Sequence, residues 1–114
     1  MTRLLVAGGA GFIGSNFCRY WLEEHPDDRV TVLDAFTYAG VRESLDGLPL
    51  SGIVHADIAD VDAVVSTLRA HQIDVIVNFA AESHNSLAVL DPARFFRTNV
   101  LGTQGLCEAA RRVG

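Results

Sequence analysis

Apolar and polar positions follow two different periods along this chain, and the switches between them mark its elements. Leu4-Leu5-Val6-Ala7 is a continuous apolar run of strand length. A glycine cluster follows, and then helical spacing begins at Ile13, Phe17, Tyr20 or Trp21, and Glu24. The first three of these positions form a stripe expected to pack on a sheet. His25-Pro26-Asp27-Asp28 stops the helix. Val30-Thr31-Val32-Leu33 is a second strand, rich in β-branched residues, that delivers Asp34 to its carboxyl end. Residues 35–51 form a long connection, with a turn at Thr37-Tyr38-Ala39-Gly40 and one helical turn over 41–45. Gly52-Ile53-Val54-His55-Ala56 is a short third strand. Asp60 caps a helix whose Val61, Val64, Val65 and Leu68 share one face. Residues 74–79 make a fourth strand, buried on both faces by its composition. Asp91 and Pro92 open the last helix as N-cap and first helical residue. Its Phe96, Val100, Thr103, Cys107 and Ala110 mark one face, with Arg111 and Arg112 at the negative end of the dipole and Gly114 as C′ residue.

The order is β-α-β-(loop)-β-α-β-α. It predicts an α/β fold, a Rossmann-like doubly wound parallel sheet with right-handed crossovers and strand order 3-2-1-4. A ligand is expected across the carboxyl ends of strands one and four, where the order reverses.

The glycines fit two templates. Gly9, Gly11 and Gly14 match G-x-G-x-x-G, and Gly8, Gly11 and Gly14 match the wider G-x-x-G-x-x-G. Either one, between a strand and a helix, lets a pyrophosphate approach bare backbone at a helix N-terminus. Asp34 lies twenty residues beyond Gly14. A carboxylate there accepts hydrogen bonds from an adenosine ribose and repels a 2′-phosphate, or else serves as a turn aspartate. The next arginine is Arg42, so NAD is favoured over NADP. A polar residue just past the third strand is placed either to meet the adenine or to act as a turn residue. Ala80 and Ala81 are small enough for a ligand to lie against the fourth strand's end.

Composition narrows the chemistry. The 114 residues suffice for one domain, and the net charge of −5 argues against nucleic acid or an anionic membrane. No apolar run reaches membrane-spanning length and no signal peptide opens the chain, so a cytoplasmic location is expected. All nine basic residues are arginine. Without lysine there is neither a Walker-type phosphate loop nor a Schiff base. Arg94 and Arg97 read as a solvated face. His25, His55, His71 and His84 lack metal-site spacing, so no metal is expected. Cys18 and Cys107 are expected to be reduced, buried and structural.

Along essentially its whole length the chain resembles the N-terminal part of the extended short-chain dehydrogenase/reductases, and among them the dTDP-glucose 4,6-dehydratases. Gly8-Gly9-Ala10-Gly11-Phe12-Ile13-Gly14-Ser15 marks the superfamily. The narrower likeness rests on the 37–40 loop, Glu43-Ser44-Leu45, His55-Ala56-Asp57-Ile58, Ala80-Ala81-Glu82-Ser83-His84 and Thr98-Asn99-Val100-Leu101-Gly102-Thr103. The resemblance implies Phe12 and Ile13 at the pyrophosphate and Asp34, Ala35, Phe36 and Thr37 at the adenosine ribose. It implies Asp57 and Ile58 at the adenine, then Phe79, Ala80, Ala81, Ser83 and Thr98 toward the nicotinamide side. Ser83 or His84 would meet the sugar nucleotide, His84 alternatively being a hydrogen-bonded loop histidine. Glu82 would orient rather than catalyse.

The loop Asn85-Ser86-Leu87-Ala88 and Ala7 depart from the family pattern. The family's Tyr-x-x-x-Lys and Thr-Asp-Glu groups would lie beyond residue 114, so the chain is expected to be the cofactor segment of a longer enzyme. No catalytic residue is assigned within it. The resemblance implies NAD as cofactor, dTDP-glucose as substrate and a homodimer for the whole enzyme. A nucleotide-sugar 4-epimerase, or a non-catalytic NAD-binding remnant, is the alternative. Without a fifth strand, the fourth is expected to be an open edge.

Overall fold

The structure, a computed structural model, describes residues 1–36, 42–80 and 91–114. Its elements run β1 (Arg3–Ala7), α1 (Phe12–Glu24), β2 (Arg29–Asp34), a 3-10 turn (Arg42–Leu45), β3 (Gly52–His55), α2 (Val61–Ala70) and β4 (Val75–Asn78). One helical run then passes from α3 (Pro92–Phe96) through a π-helical segment (Arg97–Gly102) into α4 (Thr103–Val113). All strand pairs are parallel and the order is β3-β2-β1-β4, as the alternation of elements predicts.

Side chains alternate across β1, so each face of the sheet has its own core. Leu5 and Ala7 join Leu33, Ile58, Val64, Leu68, Leu106 and Ala109 beneath α2 and α4. Val6, Val30 and Val32 join Ala10, Cys18 and Leu45 beneath α1. α2 begins where the sequence places it, with Asp60 Oδ1 accepting the Ala63 N–H at 3.2 Å.

Four expectations need correction. In α1 the residues fully buried against the sheet are Gly14, Ser15 and Cys18. Ile13 and Tyr20 are exposed; only Phe17 and Trp21 of the expected stripe pack against the core, and then partly. In the last helix Gly102, Gly105, Leu106 and Ala109 face inward, while Phe96, Val100, Thr103, Cys107 and Ala110 are exposed. Thr103, Cys107 and Ala110 each follow a buried residue by one position, a rotation of about 100°. The reason is the same in both helices. Close approach selects small residues, and a Cβ at Gly105 would sit 2.8 Å from the Ile58 carbonyl oxygen. Finally, β4 is not buried on both faces: Val75 is 45% exposed and Asn78 is exposed as well. Cys18 is buried as expected, but Cys107 is not.

Candidate functional site

Parallel pairing puts the carboxyl ends of all four strands on one edge, and the connections leaving them meet there. After β1 the chain turns at Gly8, whose φ of +75° is a conformation glycine adopts without steric cost. A Cβ at Gly8 would lie 2.5 Å from the Ala80 amide nitrogen, so the end of β4 rests directly on this turn. Gly14 tolerates no side chain, because its Cβ would run into the Gly8 carbonyl oxygen. Gly11 is the N-cap of α1 and supplies no side-chain acceptor. The wider template therefore assigns the turn, the cap and the close contact to Gly8, Gly11 and Gly14. Gly9 instead lies over Val32, where a Cβ would be 2.8 Å from either γ carbon.

With no side-chain cap, the first-turn amides of α1 are left for a ligand or water at the positive end of the helix dipole. Free amides at the positive end of a helix are the arrangement that favours an anion. Phe12 and Ile13 occupy this turn, 83% and 67% exposed. With Asn16, Phe17, Tyr20 and Phe79 they line an open groove of about 550 Å³. The Phe17 and Phe79 rings are 5.3 Å apart across it.

Asp34 is buried at the end of β2, and both of its oxygens are engaged. The Ala10 N–H donates to Oδ2 at 2.9 Å and the Phe36 N–H to Oδ1 at 2.7 Å. One carboxylate thus holds the glycine turn and its own turn together. Each oxygen keeps a lone pair for a further donor such as a ribose hydroxyl. Phe36 has φ +53°, an uncommon conformation for a non-glycine residue and a kind of strain that clusters at functional sites. Its ring lies edge-on to His55 at 5.4 Å, with the Arg42 guanidinium 4.5 Å above its centre. His55 Nε2 donates to the Ala35 carbonyl at 2.9 Å. Folding thus brings Arg42 back to within one ring of the Asp34 turn, engaged with Phe36.

Past β3, Asp57 Oδ1 accepts the Ala59 N–H at 2.8 Å and Oδ2 accepts Arg97 Nε–H at 3.2 Å. Arg97 is exposed, as expected of a solvated face, and is also paired with Asp57; the Arg94 side chain lies outside the described residues. The Ile58 side chain is 3% exposed and belongs to the core. At the end of β4 the Phe79 N–H donates to the Ala7 carbonyl at 2.7 Å, and the Ala80 N–H to Asn78 Oδ1 at 2.9 Å. Thr98 is half-buried in the π-helical segment. Thr37, Ala81, Ser83 and His84, with Glu82 and the rest of the 37–40 loop, lie outside the described residues.

Two links escaped the sequence: Ala10 to Asp34, 24 positions apart, and Asp57 to Arg97, 40 positions apart. Neither has a local signal, because each depends on how distant segments pack.

A family model described as the NAD dependent epimerase/dehydratase family matches residues 4–114. The dTDP-glucose 4,6-dehydratase of Mycobacterium tuberculosis is 55% identical over 113 residues, covering 98% of this chain and 34% of that protein. Among solved structures, the dTDP-glucose 4,6-dehydratase of Streptomyces venezuelae, crystallised with NAD bound, superposes with a TM-score of 0.85 at 47% identity. It covers 96% of this chain, which spans 35% of that one. The UDP-glucose 4-epimerase of Thermotoga maritima reaches a TM-score of 0.88 at 29% identity, over 99% of this chain and 35% of its own. The chain spans about a third of the length of the curated relatives it matches.

Proposed function

The chain belongs to the NAD dependent epimerase/dehydratase family, and from that premise we propose that residues 1–114 form the NAD-binding segment of a nucleotide-sugar 4,6-dehydratase acting on dTDP-glucose. The observation that carries this reading is the Asp34 carboxylate tied to the glycine turn through the Ala10 amide. It sets a ribose acceptor beside an uncapped helix N-terminus, which is the pairing an adenine dinucleotide needs. The fit has a steric side too, since side chains at Gly8 or Gly14 would collide with neighbouring backbone.

In this reading Gly8, Gly11, Phe12, Ile13 and Gly14 hold the diphosphate, mostly through main-chain amides. Asp34, Ala35, Phe36 and Thr37 hold the adenosine ribose. Asp57 and the Ile58 main chain meet the adenine. Phe79, Ala80, Ala81, Ser83 and Thr98 lie toward the nicotinamide half, and Ser83 and His84 toward the sugar nucleotide. Bound NAD would supply a hydride acceptor and donor for the sugar carbon. This chain's residues bind and orient; with no lysine, they do not make a Tyr-x-x-x-Lys proton-transfer pair. Likeness of fold alone fits a 4-epimerase equally well, and the dehydratase reading is favoured by the higher identity to dehydratases.

Calorimetric titration tests the assignment. We expect NAD to bind, NADP to bind about tenfold more weakly through repulsion at Asp34, and Asp34→Asn to narrow that gap. Equal affinity for NAD and NADP would refute the ribose assignment, and no binding of either would remove the cofactor reading. No turnover of dTDP-glucose is expected from these 114 residues alone.

A further inference from the structure

The Asp57–Ile58–Ala59 turn is held by the last helical run at three points. Arg97 Nε–H donates to Asp57 Oδ2 at 3.2 Å. Gly102 lies under Ile58, where a Cβ would be 2.5 Å from Ile58 Cδ1, and a Cβ at Gly105 would be 2.8 Å from the Ile58 carbonyl oxygen. The first two contacts come from the two ends of the π-helical segment, Arg97–Gly102. Such wide turns are uncommon and concentrate at functional sites. The pairing is specific in geometry. The Ala59 amide holds Oδ1 at 2.8 Å while Arg97 holds Oδ2, so the plane of the carboxylate is set from both sides.

We propose that Arg97 is a positioning residue for adenine recognition: it fixes the orientation in which Asp57 accepts the exocyclic amino group of the base. The proposal rests on the reading that the dinucleotide lies with its adenine against residues 57–58. Arg97 does not touch the base. It acts through Asp57, whose second lone pair on each oxygen remains open to an amino donor. The discriminating step is chemical. Adenine offers an N–H donor at C6, whereas hypoxanthine offers a carbonyl, which a carboxylate repels. The site should therefore distinguish NAD from its hypoxanthine analogue, and Arg97 should sharpen that distinction.

The experiment is to titrate the intact chain with NAD and with the hypoxanthine analogue, in the unaltered protein and in Arg97→Gln, Arg97→Lys and Asp57→Asn. We expect Asp57→Asn to erase most of the preference for NAD. Arg97→Gln should weaken NAD about threefold, in line with a partly exposed ion pair, and leave the analogue nearly unchanged. Arg97→Lys should recover part of the loss. An equal loss for both ligands in Arg97→Gln would mean a merely structural role and would overturn the proposal. So would a preference that falls in Asp57→Asn but holds in Arg97→Gln. No preference in the unaltered protein, or one indifferent to Asp57→Asn, would instead refute the adenine placement, and the proposal with it.

Discussion

At the residue scale, surroundings rather than residue type decide what a side chain does. Cys18 and Cys107 look alike in sequence, each isolated within a helix. Cys18 is buried in the α1 core, and that burial pushes its thiol up to about 11. Cys107 is exposed on α4. A thiolate is the reactive form, so the two should differ sharply. We expect a disulfide reagent at neutral pH to modify Cys107 promptly, and Cys18 only once the chain unfolds. Cys107→Ser should abolish the fast phase; two fast thiols in the native chain would contradict the burial of Cys18. Asp34 makes the same point from the other side. Its position in the sequence is legible as a ribose acceptor, but its second task, holding the Ala10 amide, became visible only with the fold.

At the element scale, both helices present a face one position away from the expected one, in opposite senses. Ile13 and Phe17 were expected inside, and Gly14 and Cys18 are the buried residues; Cys107 and Ala110 likewise yield to Leu106 and Ala109. Hydrophobic spacing finds a helix but passes over the glycines, whereas close packing turns inward the face that carries Gly14 in one helix and Gly102 and Gly105 in the other. Arg111 and Arg112 stand at the C-terminal end of α4, as the sequence places them, and the structure adds Glu108 as their shared partner. Arg111 Nε donates to Glu108 Oε2 at 2.9 Å and Arg112 Nε to Oε1 at 3.1 Å. These bonds, with that from Arg111 first, lower the Glu108 carboxyl from 4.5 to about 2. A group lowered on folding stabilises above its unfolded pKa and loses that contribution as protons bind. Stability from Glu108 should therefore be complete above about pH 4.5 and fade as the pH falls toward 2. Denaturant midpoints measured across that window should drop less steeply in Glu108→Gln. Identical slopes would show that the cluster is not linked to folding.

At the scale of the whole molecule, a well-packed centre meets open flanks. β1 has strands on both sides and helices over both faces, and Leu5, Val6 and Ala7 are fully buried. β4 pairs with β1 and, among the described residues, with no strand beyond it. Its Val75 is open, as are Phe12, Ile13, Phe96 and Val100 on the flanking helices. An unpaired apolar edge recruits other chains. We expect the 114-residue chain to self-associate at micromolar concentrations, seen as light scattering that grows with concentration, and Val75→Lys to suppress it. A concentration-independent monomer with a cooperative melt well above room temperature would count against this. The sequence by itself determined the order of elements, hence the 3-2-1-4 sheet, and the residues of the glycine turn, because periodicity, glycine geometry and crossover handedness are properties of short segments. Tertiary structure alone decided which helix faces are buried, that Asp34 grips the glycine turn, and that Arg97 reaches Asp57. Those contacts join residues 24 to 40 positions apart, and only the packing of the layers brings such residues within hydrogen-bonding distance.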